Sequence, residues 1–159
     1  MTSHEMLQAS FAYMPPARLL EGLSPAAAAT RLPGAPHTIV ELLAHLVFWQ
    51  NWFLERLTGR PVPMAAAAAD GWPAAGETDW ERLQAEFVNG LERGVALAES
   101  PQAQSQRVEP AIEFPPLAEY TVADAVMHVA LHNAHHLGQI VTLRQLLRAW
   151  PPPEGSWTW

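Results

Sequence analysis

Residues 121–150 read TVADAVMHVALHNAHHLGQIVTLRQLLRAW, and this stretch decides the fold class. Thr121 stands three residues before Asp124, the spacing of a capping box in its aspartate form. In that motif a hydroxyl accepts one orphan backbone N–H while the carboxylate reaches back to another. No proline interrupts Val122 to Trp150, and Pro151-Pro152-Pro153 then ends the run. The spacing predicts a long helix over about 122–150.

On a helical wheel of about 100° per residue that starts at His128, His135 and Gln139 fall about 20° to either side, His132 at about 40° and His136 at about 80°. Four histidines and a glutamine therefore form one polar stripe. Val126, Val129, Leu131, Ile140, Val141 and Leu147 fill most of the remaining surface. Such a helix is largely buried, and buried imidazoles need partners.

Three further segments open with the same kind of signal. Thr2…Glu5, Thr38…Glu41 and Thr78…Glu81 each place a hydroxyl three residues before a carboxylate. The first helix is predicted from Ser3 towards Glu21, interrupted at Pro15-Pro16 and stopped by Gly22. Leu23 to His37 reads as a connection with at most one helical turn. The second helix is predicted over about Ile39–Thr58, with Gly59 as its stop, and the third over about Asp79–Glu99, weakened by Gly90 and Gly94. The connection from Arg60 to Glu77 is long enough to cross a bundle, so the second and third helices are free to run parallel. Ser100 to Tyr120 is a second proline-rich connection. The fold class is all-α.

Composition narrows the function. The chain has 159 residues, a formal charge of −7, nine Lys plus Arg and no cysteine. So few cations argue against a nucleic-acid partner. No apolar run approaches the roughly 20 residues of a membrane span, and the N-terminus lacks a signal-peptide pattern, so a soluble, cytoplasmic protein is expected. Without thiolates, any metal site must use nitrogen and oxygen.

His132 and His136 are four apart and share a helix face. Asn133, not glutamate, follows His132, which argues against a zincin-type peptidase. His45 lies in the apolar run Leu42-Leu43-Ala44-His45-Leu46-Val47, and Glu41, Trp49, Trp52 and Arg56 fall within about 40° of it on a wheel. Two readings stand side by side. In one, His45 is a packed imidazole beside two core tryptophans. In the other it is the third ligand of a His45/His132/His136 site, at the floor of a pocket walled by Trp49 and Trp52, with Glu41 or Gln139 as an outer partner.

The segment from His128 to Ile140, with His132, His136, Gly138 and Gln139, together with Leu43-Ala44-His45-Leu46, resembles the signature of the DinB-like superfamily. These four-helix-bundle proteins include bacillithiol- and mycothiol-dependent transferases and isomerases. The tail from Trp150 to Trp159, with Trp157, is similar to that of one branch. The resemblance implies an up-down-down-up bundle over residues 1–150 followed by a Pro/Trp-rich tail at 151–159. It also implies a divalent metal, zinc or nickel, on His45, His132 and His136, and a homodimer.

The activity expected is that of a metal-dependent transferase acting on a small-molecule substrate. Since the chain has no cysteine, the sulfur nucleophile comes from a low-molecular-weight thiol cosubstrate. His128 or His135 accepts or relays the proton, and Gln139 orients His132 or fixes the bundle. A metal-dependent hydrolase and a non-catalytic, metal-binding stress-response bundle remain as alternatives.

Overall fold

Two of the four capping boxes form as read, and each launches a long helix. A computed structural model describes Leu7 and residues 14–155. Its helices are α1 (Pro25–Ala28), α2 (Ile39–Leu57), α3 (Trp80–Ala98) and α4 (Val122–Leu146), with 3-10 turns at Arg18–Leu20, Ala68–Gly71, Glu77–Asp79 and Pro115–Leu117. There is no strand among the described residues, only an isolated bridge between Arg107 and Thr121. The domain is an all-α helical bundle. The Thr2…Glu5 box, most of the predicted first helix, and Trp157 and Trp159 of the tail lie outside the described residues. Beyond Pro16 the chain makes a single 3-10 turn, because consecutive prolines withhold the N–H groups an α-helix would need.

At α2 the Glu41 N–H donates to Thr38 Oγ1 at 3.3 Å and the Thr38 N–H to Glu41 Oε2 at 2.8 Å. At α4 the matching distances for Thr121 and Asp124 are 3.2 and 2.9 Å. The Thr78…Glu81 box does not form. Asp79 takes the N-cap of α3, and its carboxylate accepts instead from the Gly76 N–H at 3.0 Å and from Arg82 at 2.8 Å. A nearer carboxylate has captured the turn, which tightens into a 3-10 segment.

Gly59, at φ 85°, ends α2, with Gly59 N–H donating to Arg56 O and Arg60 N–H to Glu55 O. The last helix stops short of the prolines. Arg148 adopts φ 57° and donates its N–H to Gln145 O, while Ala149 N–H reaches Arg144 O. This left-handed turn closes α4 at Leu146, four residues before the predicted end. It is stabilised by Arg144, 1% exposed, whose guanidinium donates to the carbonyls of Leu19, Glu21 and Ala149.

Helix directions follow from which residues meet. Gln50 and Leu54 of α2 lie against Gly90 and Gly94 of α3, and Glu55 pairs with Arg93 at 3.0 Å, so α2 and α3 run parallel. His45 contacts His136 while Phe53 contacts His128, so α4 runs against α2. The long Arg60–Glu77 connection makes the parallel pair possible. The glycines of α3, which weaken it as an isolated helix, serve this packing. A Cβ at Gly90 would fall inside the Gln50 carboxamide, which donates to Phe87 O at 3.0 Å and accepts from Asn133 at 3.3 Å. Leu43, Leu46, Leu54, Phe87 and Ile140 fill the interior. Leu131, by contrast, points outward at 66% exposure, so the apolar face of α4 is narrower than the wheel predicts, while Leu146, in line with His128 on the wheel, is exposed as well.

Candidate metal centre

Antiparallel packing brings the middle of α2 against successive turns of α4, and the two histidine motifs meet there. One ring nitrogen from each of His45, His132 and His136 lies within 4.8 Å of the other two. His45 Nε2 is 3.1 Å from His132 Nε2. Metal–nitrogen bonds of ~2.0–2.1 Å hold two nitrogens on one ion about 2.9–3.4 Å apart for bond angles between right and tetrahedral. The spacing of this pair fits.

Hydrogen bonds on the far side of two rings decide which nitrogen faces inward. A carbonyl can only accept, so His45 Nδ1–H donates to Gly71 O at 2.6 Å. His136 Nδ1–H donates to Gln139 Oε1 at 2.8 Å. In both neutral rings the lone pair then sits on Nε2, as a metal ligand requires. His45 Nε2 and His132 Nε2 face each other, an arrangement that suits either a shared cation or a single N–H between them. The residues present fit a divalent ion.

The electrostatics agree with that reading. Burial, reinforced by His136 and His45, pushes His132 down to about 3. Burial also lowers His45 and His136, opposed by their bonds to Gly71 and Gln139 and reinforced by neighbouring histidines. Three close imidazoles disfavour a proton and so remain neutral, which leaves their lone pairs available.

Trp72 covers the site from the 60–77 connection. Its indole stacks on His45 at 3.7 Å between ring centroids and on His37 at 3.8 Å. Sequence reasoning missed Trp72, Gly71 and His37 because a proline-rich linker offers no periodicity to interpret. Gly71 is a place of close approach, where a Cβ would lie 2.7 Å from Trp49 Nε1.

The other predicted residues separate into groups. Gln139 binds His136 rather than His132, since a helical i, i+3 pair is adjacent. Glu41 turns from the His45/His132/His136 cluster into its capping box, a pair with Arg31 at 2.5 Å and a contact with His37 Nδ1 at 3.8 Å. Trp49 and Trp52 line, with His132, an apolar cavity of about 450 Å³. His128 borders the same cavity with Nδ1 3.2 Å from Tyr120 Oη, and burial lowers its pKa. His135 is exposed, 3.5 Å from Gln139 Nε2. On the opposite side, His136, Trp72 and Gln139 border a second cavity of about 630 Å³. His132 also borders a third cavity of about 430 Å³ with Tyr120, Asp124 and His128, so the trio stands between cavities on its His132 and His136 sides.

No helix among the described residues is long and apolar enough to cross a membrane. No curated protein and no solved structure matches the chain. The family model described as the DinB superfamily matches residues 13–140, a span that holds all three histidines of the cluster, the whole of α2 and α4 as far as Ile140. The chain belongs to the DinB superfamily.

Proposed function

We propose that the protein is a divalent-metal-dependent transferase in which His45, His132 and His136 hold the ion and a low-molecular-weight thiol is cosubstrate. The observation that carries this reading is the convergence of three neutral imidazoles, two of them fixed from behind by Gly71 O and Gln139 Oε1. When bound, a divalent ion on neutral ligands would lower the pKa of a neighbouring thiol or water into the neutral range. The remaining contributions come from the chain itself. Gly71 and Gln139 set the tautomers, Trp72 shields His45 from solvent, and His128, kept neutral by burial, is available to accept a proton.

Cavities on both sides of the trio favour two small molecules meeting there over one. The chain has no cysteine, so sulfur chemistry requires a thiol from outside. Zinc- or nickel-loaded protein should conjugate a model electrophile such as 1-chloro-2,4-dinitrobenzene only when bacillithiol, mycothiol or glutathione is added. The His45→Ala protein should not. Thiol-independent cleavage of a nitrophenyl ester by loaded protein would favour the hydrolase, and inactivity in both assays would favour a metal-binding protein without catalysis.

A further inference from the structure

The apolar cavity on the His132 side is built by the two connections that the sequence presents as mere linkers. Trp49, Trp52 and Phe53 of α2 form its floor, Met64 comes from the 60–77 connection, and Phe114 and Leu117 come from the 100–120 connection. Among the described residues no charged side chain lines it. Among the described lining residues the imidazoles are those of His128 and His132, with His128 beside Tyr120 Oη.

A single buried cation fixes both walls. Arg56, 5% exposed, donates to Val62 O in the first connection and to Pro110 O and Ala111 O in the second, at 3.1 and 2.9 Å. The same guanidinium lies 5.2 Å from the Trp52 ring centre. Trp52 Nε1–H is spent on Pro63 O at 2.8 Å, so the indole presents only its apolar surface inward. The chamber is therefore held open by specific bonds, and its volume of about 450 Å³ lies within the range of small-molecule sites, ~300–1,000 Å³.

From this construction we infer that the chamber binds the uncharged aromatic body of a small-molecule ligand, with the ligand's polar end directed to His128 and His132. Aromatic walls favour a flat ring through offset and edge contacts. The missing cation disfavours a carboxylate or phosphate there, since a buried anion needs a paired charge. A hydroxyl or carbonyl on the ring is the polar group a neutral imidazole can bond. As an assignment of substrate class, this inference rests on the proposed transferase reading. Binding to the chamber does not require the metal.

The test uses 2-naphthol as probe, with the indole N–H resonances of Trp49 and Trp52 as the readout, in the intact wild-type chain and in metal-free His45→Ala protein. Saturable shifts of both signals are expected in each. Ala68→Phe should fill the chamber from its exposed rim and weaken binding at least tenfold. Thr142→Phe, at the exposed edge of the opposite cavity, should leave the affinity unchanged. 2-Naphthalenesulfonate, of similar shape but charged, should bind at least tenfold more weakly. The inference is overturned if 2-naphthol does not shift these signals up to millimolar concentration, if Ala68→Phe binds as wild type does, or if Thr142→Phe abolishes binding. Probe binding that survives in a protein unable to hold metal upholds the chamber even where the metal reading fails.

Discussion

Replacing Gln139 by leucine isolates the contribution of one outer hydrogen bond to the metal centre. The Gln139 amide oxygen accepts from His136 Nδ1 at 2.8 Å, and His136 is 8% exposed. Leucine keeps the bulk and the helix propensity but removes the acceptor. A partner of this kind is worth about 10–100-fold in metal affinity, or about 1.4–2.7 kcal/mol. A buried donor left unpaired costs about 1–3 kcal/mol, which agrees. Gln139 itself is exposed, so water can replace its oxygen where space allows. Gln139→Ala admits that water, and its loss should lie near the lower limit, about tenfold. Gln139→Leu covers Nδ1 with apolar surface, so its loss should be larger. Competition against a chromophoric chelator at pH 7.5 measures both dissociation constants, with circular dichroism to verify the helix content. Equal affinity in wild type and Gln139→Leu would refute the role given to this bond. A larger loss for alanine than for leucine would refute the part given to water.

Two further perturbations test the fold and the charge state of the site. Gly90→Ala should destabilise by about 2 kcal/mol, because displacing the buried Gln50 carboxamide outweighs a helix-propensity gain of about 1 kcal/mol. Gly138→Ala, where nothing lies within 4 Å of the new Cβ, should stabilise by up to about 1 kcal/mol. Urea midpoints of both proteins check this pair of opposite signs. Metal-free protein should also lose stability between pH 7 and pH 5. The folded His132 titrates at about 3 against about 6.5 unfolded, and His45, His136 and His128 are depressed in the same direction. The unfolded chain therefore binds protons that the native state refuses, and stability rises with pH across that window. The contribution is complete above about 6.5 and is lost progressively as pH falls towards the folded values. A urea midpoint that stays flat from pH 7 to pH 5 would contradict this account.

The parts of the molecule legible in the sequence are those set by local rules. Thr38 and Thr121 announce α2 and α4 because a capping box closes within four residues. Thr78 fails because Asp79, one residue on, offers a better acceptor to the same turn. The end of α4 is not legible for a related reason. A left-handed turn at Arg148 closes the helix, and arginine carries no sequence signal for that conformation. Helical spacing puts His132 and His136 on one face but leaves His128 and His135 beside them, and it is the resemblance to the DinB-like signature that selects His45, His132 and His136 from the seven histidines of the chain. Their surroundings are not legible. Trp72, Gly71 and both walls of the apolar chamber come from connections whose positions depend on tertiary contacts, above all the carbonyls held by Arg56. The wheel placed Trp49 and Trp52 on the face of His45, yet the ring that stacks on His45 is Trp72. A wheel reports direction from one helix and cannot supply what a distant loop lays over it.

The central claim is that His45, His132 and His136 together hold one divalent ion. Metal quantification on tag-free protein, dialysed against zinc or nickel and then against metal-free buffer, tests it most directly alongside His45→Ala, His132→Ala and His136→Ala. The account predicts about one ion per chain in the wild type and none retained in any of the three variants, with helical circular dichroism preserved. An empty wild-type protein, or full occupancy with unchanged coordination spectra in His45→Ala, would contradict it.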